Sequence, residues 1–288
     1  MPYRSVFREA LFEGRNLIVT GGGSGIGRCI AHELSALRAT VVLVGRKPEK
    51  LAKVEAEIAQ EGGTVFALPC DIRDEEAVRA TVAAAVAAVG PIHGLVNNAG
   101  GQFRAPMSRI SAKGWRAVVD TNLTGGFLMA RECLNQSMAG QGGGSIVNII
   151  ADIWGGMPDM GHSGAARAGM LNFTETAAAE WAPVRVNALA PGWIATSGLD
   201  TYPEESADFT RGLARHCPLG RFGLEAEVSA AVTFLLSEGA AFVSGACLRV
   251  DGAAPNARRQ WELPERAVAA RYEGFHLAVT PKVLEREG

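Results

Sequence analysis

Short apolar runs alternate along the chain with longer stretches in which apolar positions recur every three or four residues. The runs at 16–20, 40–44, 64–68, 94–97, 145–150, 184–189 and 247–250 are rich in Val, Ile and Leu and predict β-strands. Val41, Val42, Leu43 and Val44 show no polar alternation, as in a strand buried on both faces. The stretches at 26–37, 48–60, 74–89, 113–139, 165–181 and 226–236 predict amphipathic helices. Strands alternating with helices of such length imply βαβ units. The expected fold class is α/β: a Rossmann-type doubly wound parallel sheet of about seven strands with helices on both faces. A single dinucleotide-binding domain is expected over 1–254, with a lid at about 196–224 where the rhythm breaks and a C-terminal extension at 255–288.

Composition narrows the function classes. The 288 residues are 48% hydrophobic and 20% charged, which suits a buried core and excludes a disordered chain. A net charge of −2 offers no basic field, so neither nucleic acid nor a membrane surface is an expected partner. The charge-free stretch 81–103 is broken by Gly90-Pro91 and Asn97-Asn98, too interrupted for a membrane span. Arg4, Arg8, Glu9 and Glu13 do not suit a secretory signal, and Glu287-Gly288 is no peroxisomal address. The five cysteines (Cys29, Cys70, Cys133, Cys217 and Cys247) lack metal-ligand spacing and are expected as free thiols. A cytoplasmic location and no metal are the resulting expectations.

The first predicted strand runs into Thr20-Gly21-Gly22-Gly23-Ser24-Gly25-Ile26-Gly27, and a helical pattern follows at once. Glycines there let backbone N–H groups approach a pyrophosphate at the positive end of a helix. Gly21, Ser24, Gly25, Ile26 and Gly27 are the expected cradle. After the second strand an acid would bind the ribose 2′-OH of NAD, yet the chain reads Val44-Gly45-Arg46-Lys47. Cations at a helix start oppose its dipole unless an anion sits there. A 2′-phosphate would supply one, so NADP(H) is expected over NAD(H), with Arg46 its main ligand; a solvated surface pair is the alternative.

In combination these residues resemble the short-chain dehydrogenase/reductase superfamily over roughly 11–254. Thr20 to Gly27 looks like its TGxxxGxG loop, and Asn97-Asn98-Ala99-Gly100 like its NNAG motif. Asn122 matches the helix asparagine that holds a catalytic water, and Pro191 to Thr196 the PG motif that packs on nicotinamide. The resemblance implies cofactor contacts from Asp71, Ile72, Asn98, Ala99, Gly100, Pro191, Gly192, Ile194 and Thr196. It also implies a homodimer or homotetramer through the helices around 113–139 and 165–181, whose apolar residues simple packing on the sheet explains equally.

The catalytic segment departs from that family. A Tyr-x-x-x-Lys pair usually opens the fifth helix, with an upstream Ser on the substrate carbonyl. Here the chain reads His162-Ser163-Gly164-Ala165-Ala166-Arg167, so Ser163 and Arg167 stand where Tyr and Lys are expected, and the Ser position falls on Ile150 or Ala151. None of the three tyrosines (Tyr3, Tyr202 and Tyr272) has Lys four residues on. A serine hydroxyl is a weak acid and an arginine keeps its proton, so ordinary carbonyl reduction lacks its proton donor. Arg167 can still hydrogen-bond the ribose hydroxyls. The enoyl- and dienoyl-CoA reductases tolerate such changes, and the peroxisomal trans-2-enoyl-CoA reductase type is the group most resembled. That type's catalytic Tyr and Lys fall here on Leu171 and Glu175.

The implied activity is NADP(H)-dependent reduction of a conjugated enoyl thioester, a small-molecule substrate of acyl-CoA kind. The catalytic candidates are Asn122, His162, Ser163 and Arg167, with Ser163 readable also as a helix N-cap. Gln102, Asp152 and Trp154 are further candidates near the nicotinamide. In the lid, Arg211, Arg215, His216 and Arg221 with Phe209 and Phe222 would meet phosphates or simply face water. An alcohol or ketone dehydrogenase using His162 or Asp152 as the acid, and a non-catalytic dinucleotide-binding protein, are the alternatives.

Overall fold

Seven strands form one sheet in the computed structural model: β1 (Asn16–Thr20), β2 (Thr40–Gly45), β3 (Thr64–Pro69), β4 (Gly94–Asn97), β5 (Ser145–Ile149), β6 (Arg185–Pro191) and β7 (Cys247–Val250). They pair in parallel in the order β3-β2-β1-β4-β5-β6-β7. The order reverses between β1 and β4, so the crevice that takes ligands in such sheets opens at their carboxyl ends. The structure describes Tyr3, Ser5 and residues 7–201, 207–257 and 268–285, without the side chains of Thr201 and Phe209. Arg4, Tyr202, the Phe209 side chain, 258–267 of the extension and its end at Glu287-Gly288 lie outside that description.

The strands are apolar on both sides because both sides are covered. Leu17 and Val19 point into a core with α1 (Gly25–Ala36), α2 (Pro48–Gln60) and α8 (Glu225–Leu236). Ile18, with Val42 and Val44, points into the opposite core, built with α3 (Glu75–Val89), α5 (Gly125–Cys133) and α6 (Gly161–Glu180). Each fully buried Val, Ile or Leu contributes about 1.5–3 kcal/mol through removal from water, which favours this register over any one-residue slip. No described helix is long and apolar enough to cross a membrane.

Three expectations change. The helix expected over 113–139 is α4 (Ala112–Val119) and α5, each followed by a π-helical turn, Asp120–Thr124 and Leu134–Met138. Hydrophobic periodicity does not register one extra residue in a turn, and such bulges cluster at functional sites. Helix α6 starts at Gly161, not 165; Gly161 and Gly164, weak helix formers, mask its first turn in the sequence. Ser163 therefore lies inside the helix, and Met160 takes the N-cap position, which removes the capping alternative for Ser163. The lid contains a 3-10 turn at Ser197–Thr201, α7 (Ala207–Gly212) and a second turn at Leu213–His216. The extension returns to the body: Phe275 is buried with Tyr3, Cys29 and Ala226.

Candidate active site

The glycine loop turns because Gly21 and Gly25 take left-handed angles, φ +67° and +55°. Gly27 serves a different need. A Cβ there would lie 2.4 Å from Asn98 Nδ2 and from the Gly21 carbonyl oxygen, so only glycine lets α1 approach this closely. The loop is braced from β4. The Asn98 and Ala99 N–H groups donate to Thr20 Oγ1 at 3.0 and 2.9 Å, and Asn98 Nδ2 donates to the Thr20 carbonyl at 3.0 Å. Asn98, expected at the cofactor, thus has its amide committed to the loop itself. Ser24 is the N-cap of α1 without a side-chain cap bond. The first-turn amides of α1 lack intrahelical acceptors, which suits a pyrophosphate. The residues present fit a dinucleotide.

Arg46 is exposed at the end of β2, just before α2, whose N-cap is Lys47. Across from it Asp71 receives a two-pronged ion pair from Arg73, which holds its carboxyl below the usual range, with Arg46 adding to the effect. Arg73 escaped the sequence reading; its cationic type two residues after Asp71 was the available signal. Ile72 fills the space beside Gly125, where a Cβ would lie 2.6 Å from it. Thr196 borders Gly25, as does Glu225, which sequence also missed. Glu225 is buried at the first turn of α8, and burial pushes its carboxyl up to about 7.

Ser163 and Arg167 lie one turn apart on α6. Arg167 Nη1 donates to the Ile149 carbonyl at the end of β5, and Nη2 donates to Asn122 Oδ1 at 3.3 Å. Burial lowers the guanidinium to about 10, and its Nε is buried without a partner among the described residues. Asn122 sits in the first π-helical turn and clasps Gly101: Oδ1 accepts from its N–H and Nδ2 donates to its carbonyl, both at 2.9 Å. Ser163 donates its hydroxyl to Gln102 Oε1 at 2.7 Å. His162 is fully buried, with Phe103 edge-on against it at 4.4 Å. The Ser163 N–H donates to His162 Nδ1 at 2.8 Å, so a neutral imidazole carries its proton on Nε2, an atom buried without a partner among the described residues. Four of the sequence-derived residues, Asn122, His162, Ser163 and Arg167, thus belong to one linked group with Gln102 and Gly101.

The other wall is the end of β6. Pro191 and Ile194 are buried, and Gly192 approaches Asp251 so closely that a Cβ would lie 2.8 Å from its Cα. The Asp152 N–H donates to the Pro191 carbonyl at 3.2 Å. Burial raises the Asp152 carboxyl above the ordinary range, nearby Asp251 adds to this, and Arg249 opposes it. Arg249 pairs with Asp251 at 2.7 Å and lies over the Trp154 ring at 5.0 Å. Neither described tyrosine approaches α6: Tyr3 donates to Glu33 at 3.0 Å on the α1 side, and Tyr272 packs near Tyr3 and Phe275. Of the lid cations, Arg211, Arg215 and His216 are exposed, whereas Arg221 is buried.

Residues 21–253 match the family described as Enoyl-(Acyl carrier protein) reductase. The chain is 60% identical to the citronellol catabolism dehydrogenase of Pseudomonas aeruginosa PAO1, with a TM-score of 0.79 over 88% of this chain and all (100%) of that one. It is 34% identical to a probable 2,4-dienoyl-CoA reductase of Bacillus subtilis (strain 168), over 83% of this chain and 96% of that protein. A variant of the actinorhodin polyketide ketoreductase solved with NADPH is 31% identical, with a TM-score of 0.80 over 86% of this chain and 100% of that one.

Proposed function

This chain belongs to the short-chain dehydrogenase/reductase superfamily, an oxidoreductase family that binds a nicotinamide dinucleotide, and from that premise we propose that it is an NADP(H)-dependent reductase of a conjugated enoyl thioester. The observation that carries the reading is the polar face of α6: Ser163 and Arg167 stand one turn apart, and Arg167 is tied to Ile149 and Asn122. Neither side chain is a proton donor for an alkoxide at neutral pH. Both are hydrogen-bond donors. An enolate oxygen, which forms when a conjugated carbon is reduced, needs donors at that oxygen, while the carbon can take its proton separately from solvent.

Bound in the glycine cradle, the dinucleotide supplies a hydride. Gly21, Ser24, Gly25, Ile26 and Gly27 hold the pyrophosphate, and Arg46 pairs with the 2′-phosphate, which favours NADP(H) over NAD(H). Asp71 and Ile72 border the adenine, while Ala99, Gly100, Pro191, Gly192, Ile194 and Thr196 line the nicotinamide half, with Asn98 bracing the loop. Arg167 binds the ribose hydroxyls and is oriented by Asn122. The His162 Nε2–H is the donor for the thioester oxygen, and Ser163 joins it when its hydroxyl turns from Gln102 Oε1 to that oxygen. The similarity to a probable 2,4-dienoyl-CoA reductase supports this substrate class. The name of the more similar P. aeruginosa protein adds a branched, acyclic carbon skeleton to it. A homodimer or homotetramer remains part of the proposal, as does a cytoplasmic location.

The test is NADPH oxidation with straight-chain and methyl-branched enoyl-CoA and dienoyl-CoA substrates. Turnover with at least one of them supports the reading; none above background across the panel removes it. A second reading, an alcohol or ketone dehydrogenase, is favoured by the word dehydrogenase in that relative's name and by the raised carboxyl of Asp152. It predicts activity on a ketone or alcohol panel that is lost in Asp152→Asn or His162→Ala.

A further inference from the structure

Arg221 closes the lid segment and is buried at 9% exposure. All five of its N–H donors are occupied. Nε donates to the Ala269 carbonyl at 3.1 Å, and Nη1 to the Phe222 carbonyl at 2.9 Å and to Glu227 Oε2 at 2.8 Å. Nη2 donates to Glu227 Oε1 at 2.5 Å and to the Ala270 carbonyl at 2.6 Å. Two of these acceptors belong to the chain after 267. The same Glu227 carboxylate accepts from the Leu224 N–H at 2.8 Å, closing the start of α8 beside the glycine loop. Arg221 is therefore neither a phosphate ligand nor a solvated cation. It fastens the returning C-terminal segment to the helix that borders the cofactor crevice.

That segment has two more attachments. Phe275 is buried against Tyr3, His32 and the Arg28 guanidinium, and His276 Nε2 lies 2.6 Å from Glu61 Oε1. Further on, Val283 meets the lid with both backbone groups. Its carbonyl accepts from Arg211 Nε at 2.8 Å, and its N–H donates to Asp200 Oδ1 at 3.1 Å. Val283 and Leu284 also pack against the lid's buried Leu199 and Leu213.

We infer that residues 268–285 are a strap that positions the lid: anchored on α1, α2 and α8, they hold Asp200 and Arg211 through Val283. The lid is then set from outside by the C-terminal segment as well as by its own hinges at β6 and α8. In this view Arg211 and Asp200 are positioning residues, and the setting of the lid depends on a segment outside it. The inference needs only the cofactor crevice, not the enoyl substrate, so its test uses no substrate.

Amide hydrogen exchange of the NADPH-bound protein reads it directly. Two variants are compared with the full chain: one ending at Thr280, and a full-length Asp200→Ala/Arg211→Met double variant. Removing the two Val283 hydrogen bonds should speed exchange at 196–201 and 207–216 about tenfold or more, with β1, β2 and β4 unchanged. If the shortened chain loosens throughout, the double variant decides: faster exchange confined to the lid upholds the strap. Lid exchange at the parent rate in the double variant overturns it, whatever the substrate proves to be.

Discussion

Arg167 lies over Gly100 and meets Asn122 at 3.3 Å, in a space that a single methyl group would fill. A Cβ on Gly100 would stand 2.4 Å from Arg167 Nη2 and 2.8 Å from Asn122 Oδ1. Gly100→Ala should therefore displace the guanidinium while leaving the strands intact, since Gly100 is exposed after β4. Misplacing a positioning group by about 1 Å can cost about 10²-fold in rate. Turnover should fall on that scale with little change in melting temperature, checked by NADPH oxidation alongside thermal unfolding.

Arg46→Ala tests the cofactor preference. A charge-assisted hydrogen bond to phosphate contributes about 1.5–3 kcal/mol, so the Kd for NADPH should rise about 10- to 100-fold while that for NADH hardly moves. Calorimetric titration with both dinucleotides reads the difference. Equal weakening of the two would remove Arg46 from the 2′-phosphate.

Gly27→Ala should be tolerated by the helix and rejected by its neighbours. Alanine gains up to about 1 kcal/mol in helix propensity. Against that, its Cβ would sit 2.4 Å from the Gly21 carbonyl oxygen, which belongs to the backbone and yields little. Overpacking of this kind costs about 1–3 kcal/mol, so the melting temperature should drop by several degrees and the glycine loop should bind dinucleotide less tightly.

Burial keeps Glu225 protonated up to about pH 7, whereas its ordinary value is 4.5. Between those values the native state binds more protons than the unfolded chain. Its contribution is complete below about pH 4.5 and is lost as pH rises through about 7. The shift corresponds to about 3 kcal/mol. Urea unfolding should show the parent losing about that much, relative to Glu225→Gln, between about pH 4.5 and pH 8. Parallel pH profiles for the two proteins would contradict it.

Patterns set by local chemistry were legible in the sequence. Val41 to Val44 announced a doubly covered strand, and the glycines after Thr20 announced a tight turn into α1, because burial and backbone freedom leave their mark on residue type. Ser163 and Arg167 were singled out by resemblance to a family motif, and the structure sets them one turn apart on α6. What sequence did not carry were relationships set by distance in the fold. The extra residue in the turn around Asn122 breaks no hydrophobic period, so α4 and α5 read as one helix. Arg221 read as one more lid cation, since nothing local marks the carbonyls of Ala269 and Ala270 as its acceptors. Nothing local marks Glu225, at the first turn of α8, for burial beside Gly25.

The central claim is that the cleft face of α6 stabilises charge on an oxygen and does not protonate an alkoxide. NADPH carrying deuterium at C4 of its nicotinamide, given with an α,β-unsaturated thioester or ketone, tests it by the position of the label in the product. Deuterium at the former alkene carbon, with the carbonyl retained, is the expected result. Deuterium on a carbinol carbon, with the alkene intact, would contradict it.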